Sequence, residues 1–267
     1  MNTSPHVDAA LDFMALVGRV FLGFVERAGR LSVFTGVVLF HCLTPPLYMR
    51  SLVRQMVEIG YYSLPVVGLT TLFSGMVLAL QSYTGFARFS AESAVATVVV
   101  ISMTRELGPV LAGLMVAGRV GASMAAELGT MRVTEQIDAL STLSTNPFRY
   151  LVVPRVLAAT LMLPLLVLVG DIIGVFGGYM IGTWKLGFNP AIYIQRTWEY
   201  MQAMDVISGL VKAGVFGFLI SLTGCYNGYH SDRGAQGVGQ ATRNAVVSAS
   251  ILILIFNYMI TELFFTQ

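Results

Sequence analysis

Lysine occurs only twice in this 267-residue chain, at Lys185 and Lys212, preceded by Trp184 and Val211. Neither closes a GxxxxGK[ST] loop, so the chain carries no nucleotide-phosphate machinery of its own. The glycine-rich stretch Gly234-Ala-Gln-Gly-Val-Gly239 has no lysine after it and no strand before it, and reads as a loop. Histidine is as sparse. His6, His41 and His230 are dispersed, with no HExxH pair, so no metal site is expected. The two cysteines, Cys42 and Cys225, lie in or beside apolar runs and fit neither a disulfide framework nor a zinc spacing. The scarcest commodity is charge. Charged residues make up 11% of the chain, against about 25% in soluble domains. Hydrophobic residues make up 55%, and the mean hydropathy is +0.73. One globule cannot hide that much apolar surface, because surface grows too slowly relative to volume. Lipid must solvate much of the chain. A net charge of +2 with scattered basic residues gives no nucleic-acid patch. Nor is there a nucleophile–base set for a lipid-acting enzyme.

What is present is length in the apolar runs. A membrane helix needs roughly 20 apolar residues, and five segments qualify: Tyr62 to Phe86, Ser93 to about Ala126, Tyr150 to Thr183, Val206 to Asn227, and Ala245 to Phe265. The fold class is therefore an all-α polytopic membrane protein with five transmembrane helices. Residues 1–61 differ. Between Asp8 and Arg30 the polar residues Asp8, Asp12, Arg19, Glu26 and Arg30 form one narrow helical stripe, which predicts a helix lying in the membrane interface. Leu31 to Leu43 is too short to span, is stopped by Thr44-Pro45-Pro46, and reads as interfacial or re-entrant; a sixth span at about 13–43 is the alternative, made costly by Arg19, Glu26, Arg27 and Arg30. Arg50, Arg54 and Glu58 opposite Leu52, Val53, Met56 and Val57 predict a second amphipathic elbow. No cleavable signal peptide is expected, because the first apolar stretch follows His6, Asp8 and Asp12 rather than a basic region. Residues 62–267 form the five-span body.

Lys and Arg in short loops set orientation. With the N-terminus cytoplasmic, Arg19, Arg27, Arg30, Arg50, Arg54, Arg132, Arg149, Arg155, Arg233 and Arg243 fall inside, and Arg88, Lys185 and Arg196 outside. The C-terminus is then periplasmic. Trp184, Phe188, Tyr193, Trp198 and Tyr200 crowd the long outer loop as an aromatic belt. Between spans two and three the stretch ELGTMRVTEQIDAL faces the cytoplasm. It places Glu127, Arg132, Glu135 and Asp138 in an otherwise apolar chain. Thr134 can cap a short helix with Glu135 and Asp138 in its first turn. Ile137, Leu140 and Leu143 share one face, and Asn146-Pro147 ends the element. A solvated linking turn is the plainer alternative.

The run RELGPVLAGLMVAGRVGASMAAELGTMRVTEQIDAL resembles the signature region of the MlaE/YrbE permease family, membrane subunits of lipid-transporting ABC systems. The likeness continues through LPLL at Leu163 to Leu166, Gly177-Gly178 and CYNGY at Cys225 to Tyr229. It covers roughly Arg50 to the C-terminus. The resemblance implies a homodimeric, non-catalytic permease in the bacterial inner membrane that moves phospholipid between inner and outer membranes and so maintains lipid asymmetry. It implies a partner ABC ATPase that binds the ATP and Mg, so no cofactor in this chain, with a periplasmic hexamer of MCE-domain proteins and a STAS-domain protein. It also implies a coupling helix at about 130–145, with Glu127, Gly129, Arg132, Glu135, Gln136, Asp138 and Ala139 as ATPase contacts.

Ionisable groups within the bilayer are costly and are functional candidates by default. Arg105 and Glu106 precede Gly108-Pro109 in span two. Arg105 suits a phosphate, and Glu106 suits a salt bridge that fixes packing. Arg119 and Glu127 share a face and should pair with other helices. Asp171 lies mid-span, with Arg105, Arg119 or Lys212 as possible partners and a packing role preferred to a proton relay. Leu72, Met76, Leu80 and Tyr83 in span one, with Thr97, Ile101, Arg105 and Glu106 in span two, are candidate walls of a lipid cavity at a dimer seam; ordinary helix packing is the alternative. Gly113, Ala117 and Gly121 step by four and should let span two pack closely. Gly68, Gly75 and Gly85 offer a similar stripe in span one. An ion-coupled secondary transporter using Asp171 and Glu106 is the competing function, though the chain lacks the internal repeat usual there.

Overall fold

The computed structural model describes residues 5–45, 48–87 and 94–265. Arg88 and Ser93 fall outside them, as do the side chains of residues 5–17 and of Val20, Phe24 and Arg27, on which part of the N-terminal stripe rests. Every regular element among the described residues is helical. Two units divide at Pro45/Pro46.

The first unit is one helix, α1 (Pro5–Leu43), of 39 residues. The expected break near Leu31 is absent. No proline interrupts the run, and the back-bonds Ser32 Oγ to Ala28 O (2.9 Å) and Thr35 Oγ1 to Leu31 O (2.8 Å) carry the helix through that point.

The second unit holds five helical stretches long and apolar enough to cross a membrane. The first joins α2 (Met49–Gly60) through a tight turn at Tyr61–Ser63 to α3 (Leu64–Phe86). The second contains α4 (Val95–Ser102), α5 (Gly108–Val116) and α6 (Ala122–Val133), separated by π-helical turns at Met103–Leu107 and Ala117–Gly121. A short α7 (Gln136–Thr142) follows. The remaining three spans are α8 (Val153–Trp184, entered through a π turn at Phe148), α10 (Ala203–Tyr229) and α11 (Gly234–Phe265). Between α8 and α10 lies α9 (Pro190–Tyr200). Successive single crossings place α7 at one end of the bundle and α9 at the other.

Glycine sets the closest approaches. A Cβ on Gly75 would overlap Gly174 O, and one on Gly177 would overlap Leu72 O, so α3 and α8 meet backbone to backbone. The stripe expected in span two packs on α10: Cβ atoms on Gly113 and Gly121 would lie 3.2 Å from Phe216 and 3.3 Å from Ile220, and Ala117 is buried between them. In span one, Gly68 and Gly75 meet α8, while Gly85 meets none of the described residues. Small residues serve this purpose in lipid, where the hydrophobic effect no longer drives helix association.

Two further sequence expectations need correction. Gly234–Gly239 opens α11 instead of forming a loop. Gly237 fits closely against Asp232, and Val238 packs toward Gly129 of α6, so tertiary packing overrides weak helix propensity. The loop after Trp184 contains α9, whose start is encoded: Asn189 Oδ1 accepts from Ala191 N (2.9 Å), and Pro190 occupies the first helical position.

Candidate functional site: a buried charge network and an exposed polar helix

Pro109 explains the local geometry at Arg105 and Glu106. In an α-helix the carbonyl of residue 105 would accept from the N–H of residue 109, which proline lacks. A π turn forms there, and Lys212 Nζ of α10 donates to Arg105 O at 2.8 Å. Lys212 is fully buried and also donates to Glu106 Oε1 at 2.8 Å. From α11, Thr261 Oγ1 and Asn257 Nδ2 donate to Glu106 Oε1 and Oε2, each at 2.9 Å. Arg105 turns the other way: its Nε donates to Asp205 Oδ1 at 2.6 Å, and its guanidinium lies 4.2 Å from the Phe265 ring centre. Asp205 is held by the start of α10, accepting from Gln202 N at 3.0 Å.

Arg105 and Glu106 thus do not pair with each other. Each reaches a different partner, and together they tie span two to α10 and α11. Burying an unpaired ammonium would cost several kcal/mol. Lys212 avoids this through one carboxylate and one freed carbonyl. Arg105 remains about a third exposed, and its two terminal nitrogens carry no hydrogen bond among the described residues. Asp205 lies in the first turn of α10, and Thr261 and Phe265 lie near the end of α11, so the network sits in the half of the bundle nearer α9.

On the α3 side of span two, a hollow of about 350 Å³ is lined by Phe73, Ser74, Val77, Leu78 and Gln81 of α3 and by Leu107. It lies one helical face away from the expected wall. Leu72 packs on Gly177, and Tyr83 packs edge-on to Phe188. Met76, Leu80, Thr97 and Ile101 are half-buried.

Asp171 has none of the partners expected for it. Arg105 and Lys212 are engaged as above, and Arg119 Nη1 donates to Ser63 Oγ (2.7 Å) and Glu58 O, fastening span two to the α2–α3 turn. Asp171 shares no partner with Glu106, which leaves no continuous acidic relay among the described residues.

At the opposite end of the bundle, α6 runs as far as Val133, and the polar element is shorter than anticipated. Thr134 does not cap α7; its hydroxyl bonds back to Thr130 O. The residue preceding α7 is Glu135, in the left-handed region at φ 58°. Asp138 is bound by Arg132 at 2.7 Å, closing a bracket across the turn. Ile137 is buried and anchors the element, whereas Leu143 is exposed and outside the apolar face, because α7 ends before it and Ser144 turns the chain at positive φ. Arg132, Glu135, Gln136, Asp138 and Ala139 are all exposed. Glu127 and Gly129 are placed differently. Glu127 bridges to Arg155 at 2.9 Å, and Gly129 is buried against Ser231 and Val238. The CYNGY segment supports this end from beneath: Cys225 is buried, and Gly228 fits against Ala125 and Leu128.

The family described as Permease MlaE matches residues 52–263. The chain belongs to the MlaE permease family. It is 64% identical over 249 residues to a "Probable ABC transporter permease protein" of Rickettsia felis, covering 93% of this chain and 96% of that protein. It is 34% identical over 265 residues to the "Intermembrane phospholipid transport system permease protein MlaE" of Haemophilus influenzae, covering 96% and 98%. The chloroplastic protein TRIGALACTOSYLDIACYLGLYCEROL 1 of Arabidopsis thaliana is 32% identical over 264 residues, covering 99% of this chain and 75% of that protein. The matched region takes in α7, the hydrogen-bonded charge network and all but the outermost residues of the five spans.

Proposed function

We propose that this permease is the membrane subunit of an ABC transporter that moves phospholipid between the inner and outer membranes and maintains lipid asymmetry, driven by a partner ATPase. The observation that carries the reading is α7: an exposed polar element fixed at one end of an otherwise apolar bundle by the Arg132–Asp138 pair and buried Ile137. A soluble motor needs such a rigid handle. The bias of Lys and Arg toward that end supports placing it in the cytoplasm, with α9 periplasmic in the inner membrane. Arg132, Glu135, Gln136, Asp138 and Ala139 would meet the ATPase, while Glu127 and Gly129 would brace the handle. ATP and Mg would reside in the ATPase.

At the other end, two copies would meet so that spans one and two enclose a lipid chamber. Leu72, Met76, Leu80, Tyr83, Thr97 and Ile101 would contribute apolar wall or support to it. The terminal guanidinium nitrogens of Arg105, without a hydrogen bond among the described residues, suit a phosphate, and the firmly bonded Glu106 suits a packing role. A periplasmic MCE-domain hexamer would receive or deliver lipid there, and a STAS-domain protein would accompany the ATPase. The name of the Haemophilus relative supports phospholipid as cargo. The competing ion-coupled mechanism is disfavoured because both oxygens of Glu106 are occupied.

The test is co-purification. Glu135→Lys and Asp138→Lys should release the ATPase while leaving the permease in the membrane. Normal ATPase recovery with normal lipid transfer in both variants would defeat the proposal.

A further inference from the structure

A second cavity, of about 550 Å³, lies among α4, α8, α9 and the start of α10, and its Thr104 and Val206 are next in sequence to Arg105 and Asp205 of the charge network. Its size falls within the roughly 300–1,000 Å³ of small-molecule sites. Its walls are mostly apolar: Val100, Leu168, Ile172, Val175, Phe176, Ile194 and Met201. Ile172, Phe176 and Trp198 on its rim are exposed, so the cavity opens toward the bilayer. It extends along α8 from Leu168 to Tyr179, about 16 Å at 1.5 Å per residue. That is a slot for one chain.

Two of its lining groups are anomalous. Asp171 is 94% buried and Tyr193 is 96% buried, from exposures of 6% and 4%. Asp171 Oδ1 and the Tyr193 hydroxyl have no hydrogen-bond partner among the described residues. Buried polar atoms are nearly always satisfied, and an orphan costs about 1–3 kcal/mol. The two threonines of the lining offer no relief, since Thr104 and Thr197 donate to Val100 O and Tyr193 O of their own helices. The fold also makes room for the carboxyl: it occupies the space a Cβ on Gly108 would need. Asp171 lies thirteen residues before Trp184, about 20 Å of helix deep, near the middle of a roughly 30 Å hydrocarbon layer.

The lining selects the ligand. It holds a buried acid and no Lys or Arg to meet a phosphate, and burying a charged head without a full set of partners costs several kcal/mol. An uncharged hydroxyl makes the descent cheaply, and it can both donate and accept. We propose that this cavity is a binding site for a single-chain lipid with an uncharged, hydroxyl-bearing head, the head at Asp171 and the chain along α8 and α9 past Tyr193. It does not depend on the transport reading, and its test reads binding rather than transport.

The test is photolabelling of the full permease in nanodiscs with a diazirine-bearing monoacylglycerol, with adducts mapped by mass spectrometry. The control is a lysophosphatidylcholine carrying the same diazirine chain. The monoacylglycerol should label peptides within 168–179 and 193–201, and the charged probe should not. Ile172→Trp, on the exposed rim, should fill the slot, and Asp171→Ala should remove the head's partner. Each should cut labelling about tenfold, the scale of one lost buried hydrogen bond or blocked site. Asp171→Asn should retain it. Labelling confined to other helices, equal labelling by the charged probe, or no change in Ile172→Trp would overturn the proposal. So would undiminished labelling in Asp171→Ala. Should Asp171→Ala fail to fold, Ile172→Trp and the charged control still decide the matter.

Discussion

Replacing Lys212 by Met tests the charge network most sharply. The ammonium is fully buried, and its two acceptors, Glu106 Oε1 and Arg105 O, have few substitutes. Methionine fills nearly the same volume, so packing is conserved while the charge is removed. Breaking a buried pair by removing one partner costs about 3–5 kcal/mol. Glu106 keeps Asn257 and Thr261, and its side chain is 36% exposed, so solvent softens the loss. An expectation of about 2–3 kcal/mol is reasonable on those grounds. For a chain of this size each kcal/mol moves Tm by about 2–4 °C, giving a fall of about 4–12 °C. The assay is the temperature at which the monodisperse peak is lost from size-exclusion profiles in one detergent. Glu106→Gln in the same background should recover most of the loss, because it removes the orphaned charge while an amide oxygen still accepts from α11. An unchanged Tm for Lys212→Met, or a double variant as unstable as the sum of the singles, would refute the coupling.

Other perturbations follow from the same geometry. Gly177→Ala should force α3 and α8 apart, lowering stability by about 1–3 kcal/mol as overpacking does, measured by the same thermal assay; no shift would mean the two backbones are not tightly packed. Arg105→Gln should reduce the phospholipid that co-purifies with the permease, with Tm falling less than in Lys212→Met; full retention of lipid would remove the guanidinium from the binding site. Leu80→Trp should lower co-purified lipid if the expected stripe forms the chamber wall, whereas Val77→Trp should do so if the hollow on the next face is used. Lipid extraction and mass spectrometry of the two variants separate the cases.

Much of this molecule was legible in the sequence because lipid imposes simple rules. Long apolar runs marked the five spans, and glycine and alanine four apart marked the α5–α6 face that packs on α10. Polar residues at Glu135 and Asp138 marked the exposed end. The rest depended on partners distant in sequence. Nothing near Arg105 or Glu106 announces Asp205, Lys212, Asn257 or Thr261, which lie about 100–155 residues away. A partial signal existed: Asp205 and Lys212 are seven apart, two helical turns, on one face of α10. The Asn-Pro at 189–190 signalled the start of α9 but was obscured by the aromatic residues around it. Tyr193, grouped with the belt, instead turns inward against Gly178 and Gly182, whose missing side chains admit its ring. There burial pushes its phenol well above the ordinary tyrosine range. Gly234–Gly239 misled for the opposite reason, since packing on α6 outweighed propensity.

The central claim is that a separate motor drives this permease through α7 to move phospholipid. The most direct measurement is transfer of a fluorescent phospholipid between acceptor vesicles and proteoliposomes containing the permease, with and without its ATPase and ATP. The account predicts transfer only when permease, ATPase and ATP are all present, and its loss in Asp138→Lys. Equal transfer by the permease alone would contradict it.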